Sequence, residues 1–249
     1  MWLRDFLPNH VPNARVLTYG YDSTVLSNNS NASIHEFSEL FCQALMTVRA
    51  SEQEKYRPII FIAHSLGGRV IKHVLCKKNQ SVLLTSCHAL LLFGVPHNGL
   101  NVDALRFIVK DQPNAKLIED LNESSSFLQL LEDFWRSKTT DNIRIISIYE
   151  TRPTATVQET LQGWKRTGPE VMMVNKCSAT AASNYLDDIF PIDHNHSDIV
   201  KFKNERCQYY QIVQRIIEDL VKDVQGQWVK LESTIRVLFP GRGFRTFSQ

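Results

Sequence analysis

Hydrophobic residues in this chain form short runs of strand length, and polar segments separate them from longer stretches of helical periodicity. The strand-like runs lie at residues 15–20, 59–63, 89–93, 143–149 and 171–174. Short apolar runs bounded by Gly, Pro or polar residues are typical of β-strands. The run at 59–63 is apolar on both of its faces, which predicts a central strand of a parallel sheet.

Helical patterns lie between and after these strands. Ser33 and Glu36 form a capping box, and the residues after them carry an apolar face at helical spacing as far as Val48. Further helical patterns occur around 70–75, at 127–135 and at 209–224. Strands that alternate with helices indicate βαβ units. We therefore predict an α/β fold with a mostly parallel sheet and helices on both of its faces.

Length and composition indicate one globular unit with a short appendage. The chain has 249 residues, of which 43% are hydrophobic and 22% charged, as is usual for a folded soluble protein. A chain of this length buries about 70 to 75% of the surface that its unfolded state exposes, so its core needs no disulfides or metal ions. We predict a domain at 1–224 and a C-terminal tail or linker at 225–249.

Charge and cysteine content exclude several classes of protein. The net charge is 28 − 26 = +2, so no nucleic acid partner is expected. The five cysteines are scattered without metal-ligand spacing, which is typical of free thiols in a reducing, intracellular compartment. The sequence predicts neither a signal peptide nor a membrane span, because no run of 18 apolar residues occurs.

The segment Ala63-His64-Ser65-Leu66-Gly67-Gly68 lies where the buried strand meets a helix. A serine there is typical of a nucleophile elbow, a strained strand–turn–helix that exposes the hydroxyl at the carboxyl end of the strand. The turn is tight, so its flanking positions must be small, as Ala63 and Gly67 are, and Gly68 lets the helix pack closely. The Leu66 N–H would then face the oxyanion that develops when Ser65 attacks a carbonyl group.

A nucleophilic serine needs a general base, which in this class of fold follows the serine and the acid in the chain. His194 and His196 lie in the loop before the last helix, and we expect one of them to be the base. His73 lies on the helix behind the elbow, His88 begins a strand, and His97 lies in a loop after a strand. Two close histidines also suggest a metal site, but no third ligand has suitable spacing, so no metal is expected.

The acid of such a site orients the imidazole of the base. Glu150 directly follows the strand at 143–149, and this place at the carboxyl end of a strand favours it. Asp187, Asp188 and Asp193 remain alternatives, because their loop precedes the two histidines.

Several segments resemble the lipase-like serine esterases that are widespread in fungi. That family includes the serine-active-site-containing proteins and is related to the GPI inositol-deacylases. The elbow and its neighbours are the most specific part of the resemblance, which covers about Trp2 to Phe202. The similar segments are W-L-R-D-F-L-P at 2–8, A-R-V-L-T-Y-G-Y-D at 14–22, F-I-A-H-S-L-G-G at 61–68, F-G-V-P-H at 93–97 and S-I-Y-E-T at 147–151.

The resemblance implies an α/β-hydrolase fold and selects among the candidate residues. The segment at 147–151, which contains Glu150, matches the strand that carries the acid in family members. Family members carry a D-H-x-x-x-x-K-F arrangement, and the K-F pair at 201–202 matches it with His196 as the histidine and Asn195 in place of the aspartate. The resemblance therefore implies catalytic roles for Ser65, His196 and Glu150, without a cofactor.

One departure concerns the start of the fold. Family members begin with a strand that leads into an H-G-x-x-G loop, which supplies a second oxyanion N–H, whereas this sequence starts after that point. We expect the sheet to lack its N-terminal strand or strands beside 59–63, which would leave costly unpaired backbone groups. Losing one oxyanion donor typically costs about 10²- to 10³-fold in turnover. We favour a truncated sequence; the alternatives are an inactive remnant and a sheet closed by direct pairing.

Two functions fit these observations. The first is a serine hydrolase of carboxylic esters that needs no cofactor, with lipid or acyl esters implied by the resemblance alone. The alternative is a catalytically impaired effector or interaction domain of a larger signalling protein with NACHT and repeat domains. The resemblance further implies peripheral membrane contact, additional domains in a full-length protein, and a cytoplasmic location or association with mitochondrial or endoplasmic reticulum membranes.

Overall fold

The computed structural model describes residues 1–22, 30–77, 81–100, 102, 112–138, 143–160 and 163–238. They divide into two compact units. The larger unit is Leu17–Phe202, and the smaller unit combines Met1–Val16 with the chain from Lys203 onward. Every candidate catalytic residue lies in the larger unit.

Strands and helices alternate along the described chain, as the sequence predicts. The strands are β1 (Ile59–His64), β2 (Cys87–Phe93), β3 (Arg144–Glu150), β4 (Thr154–Ala155), β5 (Gln158–Thr160), β6 (Gly163–Lys165), β7 (Glu170–Val171) and β8 (Ile189–Ile192). The helices are α1 (Trp2–Asp5), α2 (Leu7–His10), α3 (Ile34–Val48), α4 (Glu52–Lys55), α5 (Leu66–Cys76), α6 (Ser81–Ser86), α7 (Ala115–Asp120), α8 (Ser126–Lys138), α9 (Lys176–Thr180) and α10 (Gln208–Leu238), and a 3₁₀ turn spans Leu186–Asp188.

The main sheet of the larger unit has the order β1-β2-β3-β8, and each neighbouring pair is parallel. The apolar residues of β2 from Ala89 to Phe93 are fully buried, because strands flank β2 on both edges and other residues cover both faces. This burial explains why the strand reads as an uninterrupted apolar run. The predicted parallel α/β architecture is confirmed.

The first predicted helix begins as the capping box requires. The Ser33 N–H donates to Glu36 Oε2 at 2.8 Å, and the His35 N–H donates to Ser33 Oγ at 3.1 Å. The helix α3 then packs against α5, where the buried Ser38 hydroxyl lies 3.3 Å from the Val70 carbonyl. The packing of α3 against α5 thus supports the helix that carries the elbow serine at its start.

The predicted strand at 15–20 is wrong. These residues belong to no strand, and among the described residues β1 forms one edge of the main sheet. Tyr19 and Tyr21 instead place their rings 4.9 Å from Phe41 and 4.6 Å from Phe37 on α3. A segment rich in β-formers becomes a strand only beside a neighbouring strand, and here aromatic packing on a helix takes its place. Direct pairing of this segment with β1 does not occur.

The predicted strand at 171–174 is also wrong in its extent and place. Only Glu170–Val171 is strand, and β7 pairs antiparallel with β4 outside the main sheet. The fourth strand of the main sheet is instead β8, which sequence analysis missed because Pro191 interrupts its apolar run. An edge strand tolerates proline, since one side of its backbone needs no partner strand.

In the smaller unit, Tyr210 of α10 is fully buried, with its ring 6.0 Å from Trp2 and 5.5 Å from Phe6. The helix continues to Leu238 and so crosses the predicted boundary between 224 and 225. The glycine at 226 does not end it, because one glycine costs a helix only about 1 kcal/mol. Within the described chain, no helix combines the length and apolar character needed to cross a bilayer.

Candidate active site

Ser65 occupies the turn between β1 and α5 in a strained backbone conformation. Its φ is 50° and its ψ is −124°, and it is the one non-glycine residue with positive φ among the described residues. Its N–H donates to the Phe93 carbonyl of β2 at 2.9 Å, and its carbonyl accepts from Gly68 at 3.1 Å. Such strain costs about 1 to 3 kcal/mol and collects at functional sites. The geometry is that of a nucleophile elbow.

Small residues at the elbow matter unequally. A Cβ on Gly68 would lie 2.4 Å from a methyl group of Val95, so no side chain fits there without a shift of the backbone. A Cβ on Gly67 would lie 3.9 Å from the Cβ of Ala63, which is an ordinary contact. The close packing predicted at Gly68 is therefore confirmed, whereas the requirement for a small residue at Gly67 is mild.

The imidazole of His196 connects Ser65 to Glu150. His196 Nε2 lies 2.9 Å from Ser65 Oγ, and His196 Nδ1 lies 2.6 Å from Glu150 Oε2. A carboxylate only accepts hydrogen bonds, so Nδ1 carries the ring proton and donates it to Glu150. Nε2 is then free to accept from the Ser65 hydroxyl, as a general base must.

Glu150 ends β3 with its side chain fully buried. Its Oε1 accepts from the backbone N–H groups of Met173 at 2.9 Å and Val174 at 3.1 Å. Both carboxylate oxygens are thus held, one by the main chain and one by His196. Two of the residues that sequence analysis assigned to a strand at 171–174 therefore hold the Glu150 carboxylate instead.

The alternative acids lie elsewhere. Asp193 is exposed and paired with Arg152, which, with the hydroxyl of Thr151, holds its pKa down at about 2. Asp188 is buried and accepts from the Arg144 guanidinium at 2.9 Å. Asp187 lies beside it in the 3₁₀ turn. None of the hydrogen bonds found among the described residues joins these carboxylates to His196.

The structure also shows where the other candidate histidines lie. His194 lies two residues before His196, and its backbone N–H donates to the carbonyl oxygen of Ile192 at 2.7 Å. His73 lies on α5 with its ring 5.7 Å from Phe127, and His88 lies within β2. His97 is fully buried, and burial lowers its pKa to about 3. Of the candidate histidines, the structure brings His196 into hydrogen bonding with both Ser65 and Glu150.

Leu66 is the first residue of α5. The N–H groups in the first turn of an α-helix have no acceptor within the helix, and the helix dipole adds partial positive charge there. The Leu66 N–H thus lies beside Ser65 at a position suited to an anion. The structure agrees in this respect with the placement expected from the elbow motif.

Two further residues support His196, and sequence analysis assigned them no role. Gly94 has a φ of 51°, and a Cβ there would lie 3.0 Å from two atoms of the His196 ring. The backbone N–H of His196 donates to Thr154 Oγ1 at 3.1 Å. A glycine after an apolar strand and a threonine four residues after Glu150 were the available signals, and neither is specific.

A buried charge cluster lies behind the elbow. The side chains of Arg69 and Lys72 are fully buried on α5, and both donate to Glu132, with Lys72 Nζ 3.0 Å from Oε2. His97 Nδ1 lies 3.8 Å from Glu132 Oε1, beyond ordinary hydrogen-bond distance. Burial alone would raise the pKa of Glu132, but its basic neighbours hold that pKa below the usual range. Burial lowers the pKa of Lys72 to about 8.

Metal ligation finds no support in the described part of the chain, where no three His, Cys, Asp or Glu side chains group as a metal site would require. The site is built from a serine, an imidazole, a carboxylate and backbone N–H groups. These groups suffice for acyl transfer.

Comparisons with known proteins give distant relatives. No family model matches the chain. Protein SERAC1 from mouse and from human are each 24% identical over 239 residues, which is 90% of this chain and 34% of theirs. The chain thus spans about a third of the length of the curated relatives that it matches. The relatives named are vertebrate, so the fungal part of the resemblance stays a prediction.

A solved structure shares the fold of this chain. Phospholipase PlaB from Legionella pneumophila matches 61% of this chain and 35% of its own, with a TM-score of 0.50 and 14% identity. The product of gene lin2722 from Listeria innocua matches 69% of this chain with a TM-score of 0.44 and 12% identity. Together with the parallel sheet and the elbow, the PlaB match identifies the larger unit as an α/β-hydrolase-type fold.

Proposed function

We propose that this chain is a serine hydrolase that cleaves carboxylic esters, with Ser65 as nucleophile, His196 as general base and Glu150 as the acid that orients it. The observation that carries the proposal is the continuous hydrogen-bond chain from Ser65 Oγ through both ring nitrogens of His196 to Glu150. A surface or packing histidine has no need of a serine on one nitrogen and a buried carboxylate on the other. The strained conformation of Ser65 gives independent support.

The chemistry proceeds in two halves. Ser65 Oγ attacks the ester carbonyl carbon while its proton passes to His196 Nε2, and Glu150 stabilises the imidazolium that forms. The tetrahedral intermediate then collapses, the C–O bond to the leaving alcohol breaks, and His196 returns the proton to that alcohol. Water attacks the acyl-Ser65 ester in the second half, with the same proton transfers, and releases the carboxylic acid.

The Leu66 N–H donates to the oxyanion of each tetrahedral intermediate in this proposal. Its place at the start of α5 gives it a fixed direction before substrate arrives, so little reorganisation is needed. One donor removed from an oxyanion hole typically lowers turnover by about 10²- to 10³-fold. A hydrolase that relies on Leu66 alone would therefore be slow, which sets the sensitivity that an assay needs.

A lipid or acyl ester is the proposed substrate, without a metal or organic cofactor. Support comes from the sequence resemblance to lipase-like esterases and from the fold shared with an enzyme named as a phospholipase. A lipid substrate would bring the protein into peripheral contact with a membrane. The proposed location is the cytoplasm, with association with mitochondrial or endoplasmic reticulum membranes as the alternative. The net charge of +2 offers no attraction for a nucleic acid.

Hydrolysis of p-nitrophenyl esters of increasing acyl length, followed by phospholipid vesicles with fatty-acid release as readout, tests the proposal. Activity that disappears in Ser65→Ala and persists in Ser137→Ala supports it, because Ser137 is an exposed serine on α8. Activity that Ser65→Ala retains comes from another group or a contaminant and contradicts the proposal. The chain-length profile separates a short-ester preference from a lipid preference.

The second candidate is a non-catalytic effector or interaction domain. The observation that favours it is the edge position of β1 among the described residues, because β1 carries the elbow and no strand pairs on its far side there. A folded chain with no hydrolysis and no reaction at Ser65 is the result expected of such a domain. Relatives about three times as long are consistent with further domains.

A further inference from the structure

His64, the residue before the nucleophile, contacts the main chain of the base. Its Nε2 lies 2.9 Å from the His196 carbonyl oxygen, and the two rings are 4.8 Å apart at an angle of 39°. A carbonyl oxygen only accepts hydrogen bonds, so His64 Nε2 carries the proton and donates it. The strand that presents the nucleophile thereby also holds the loop that presents the base.

Three side chains besides that of Ser65 hold His196. Thr154 accepts from its backbone N–H at 3.1 Å, His64 donates to its carbonyl, and Glu150 accepts from its ring at 2.6 Å. His196 lies in a turn between β8 and α10, where neither a helix nor a strand fixes its backbone. These contacts therefore set the direction of the imidazole toward Ser65.

His64 is neutral at physiological pH. Burial is the main cause that lowers its pKa to about 4, and the groups that face it are His196, Glu150 and Lys201. An uncharged donor holds the His196 carbonyl without placing a positive charge beside the imidazolium that forms during attack. A lysine or arginine in this place would donate equally well but would oppose that charge.

We propose that His64 is a positioning residue for the hydrolase reaction, which anchors the His196 carbonyl so that the ring meets Ser65 and Glu150 together. The proposal rests on the proposed function and extends it to a residue that touches neither substrate nor the transferred proton. Its consequence is that the Nε2–H donor matters, whereas an aromatic ring of similar size does not replace it.

Three substitutions separate the donor from the ring. Glutamine places an amide N–H group near the position of Nε2, asparagine is too short to reach it, and phenylalanine keeps the ring without a donor. We expect His64→Phe and His64→Asn to lower kcat about 10- to 100-fold with KM within about 2-fold, because an unsatisfied buried acceptor costs about 1 to 3 kcal/mol. We expect His64→Gln to keep kcat within about 3-fold. The matched control is His73→Phe, a substitution of a half-buried histidine on α5, and it should leave kcat unchanged.

A second readout does not need activity. The Nδ1 proton of His196, held by Glu150 at 2.6 Å, should give a downfield resonance in ¹⁵N-histidine-labelled protein. We expect that resonance to broaden or vanish in His64→Phe and His64→Asn and to persist in His64→Gln and His73→Phe. If wild-type protein shows the resonance but hydrolyses nothing, the proposed function fails while the anchoring by His64 is still tested.

Two results would overturn the proposal. One is wild-type kcat and an unchanged resonance in His64→Asn; the other is equal loss in His64→Gln and His64→Asn, which would mean that the donor is irrelevant. If His64→Phe does not fold, as circular dichroism would reveal, the comparison of the glutamine and asparagine variants decides alone.

Discussion

Gly94 offers a sharp test of how tightly the site is packed, through the change Gly94→Ala. Gly94 directly follows β2, and its added methyl group would lie 3.0 Å from the Cε1 and Nδ1 atoms of His196 and 3.4 Å from Glu150 Oε2. Contacts of 3.0 Å force the neighbour to give way by a few tenths of an ångström. The ring of His196 is that neighbour, and both of its nitrogens form hydrogen bonds, one with Glu150 and one with Ser65.

The magnitude has two parts. A non-glycine residue at the φ of 51° found for Gly94 costs about 1 to 2 kcal/mol of stability. The displaced ring adds a catalytic cost, because a misplacement of about 1 Å lowers turnover by about 10²-fold. A smaller shift of the ring lowers turnover by about 10-fold or somewhat more. We therefore expect Gly94→Ala to lower kcat by about 10- to 100-fold and the free energy of unfolding by about 1 to 2 kcal/mol.

Gly163 provides the matched control. Its φ is 93°, also positive, but no atom of the described residues lies within 4 Å of the position that a Cβ would take. Gly163→Ala should lower stability to a similar extent and leave kcat unchanged. The assay is p-nitrophenyl ester turnover per folded molecule, alongside urea unfolding of both variants. Full activity in Gly94→Ala, or equal losses of activity in the two variants, would refute the reasoning.

Three further predictions concern charge. Glu150→Gln should lower kcat about 10⁴-fold at unchanged KM, because the amide would face His196 with its N–H and favour the tautomer that cannot accept the serine proton; steady-state kinetics check this. Glu132→Gln should lower the free energy of unfolding by about 3 to 5 kcal/mol in urea titrations, since it leaves Arg69 and Lys72 buried without their carboxylate, and activity per folded molecule should persist. Stability should fall as pH drops from about 6.5 toward 4, by up to about 1.4 kcal/mol per pH unit for His97. The unfolded chain binds that proton from its ordinary pKa downward, whereas in the fold the pKa is about 3. Unfolding curves across this pH range check it, with a shallower slope expected for His97→Gln and a flat wild-type profile as the contradicting result.

Much of the fold could be predicted because its signals are local. The run at 59–63 is apolar on both faces, and Ser33 and Glu36 form a capping box within four residues. Each pattern can be recognised without knowing which elements pack against it. The predictions of strands at 15–20 and 171–174 were wrong because strand formation is not decided by local sequence. Strand formation depends on a neighbouring strand. The first segment packs Tyr19 on α3, and the second donates backbone N–H groups to Glu150.

The candidate site divides in the same way. The elbow around Ser65 carries a short motif that is typical of one geometry. Glu150 ends β3, and that place favours it from the sequence, whereas His196 lies in a separate turn and is selected over His194 by the family resemblance. The supporting contacts of Gly94, Thr154 and His64 had no such signal. Each depends on a distance across the fold, and the sequence separations of 46 residues between Glu150 and His196 and 132 between His64 and His196 carry no local pattern.

Reaction of Ser65 with a fluorophosphonate probe tests most directly whether the site contains an activated serine. We expect peptide mass spectrometry of the labelled protein to find the phosphonate on Ser65, with labelling abolished in Ser65→Ala, strongly slowed in Glu150→Gln and unchanged in Ser137→Ala. A folded wild-type chain in which Ser65 reacts no faster than the exposed Ser137 would contradict the proposed hydrolase and favour the interaction domain.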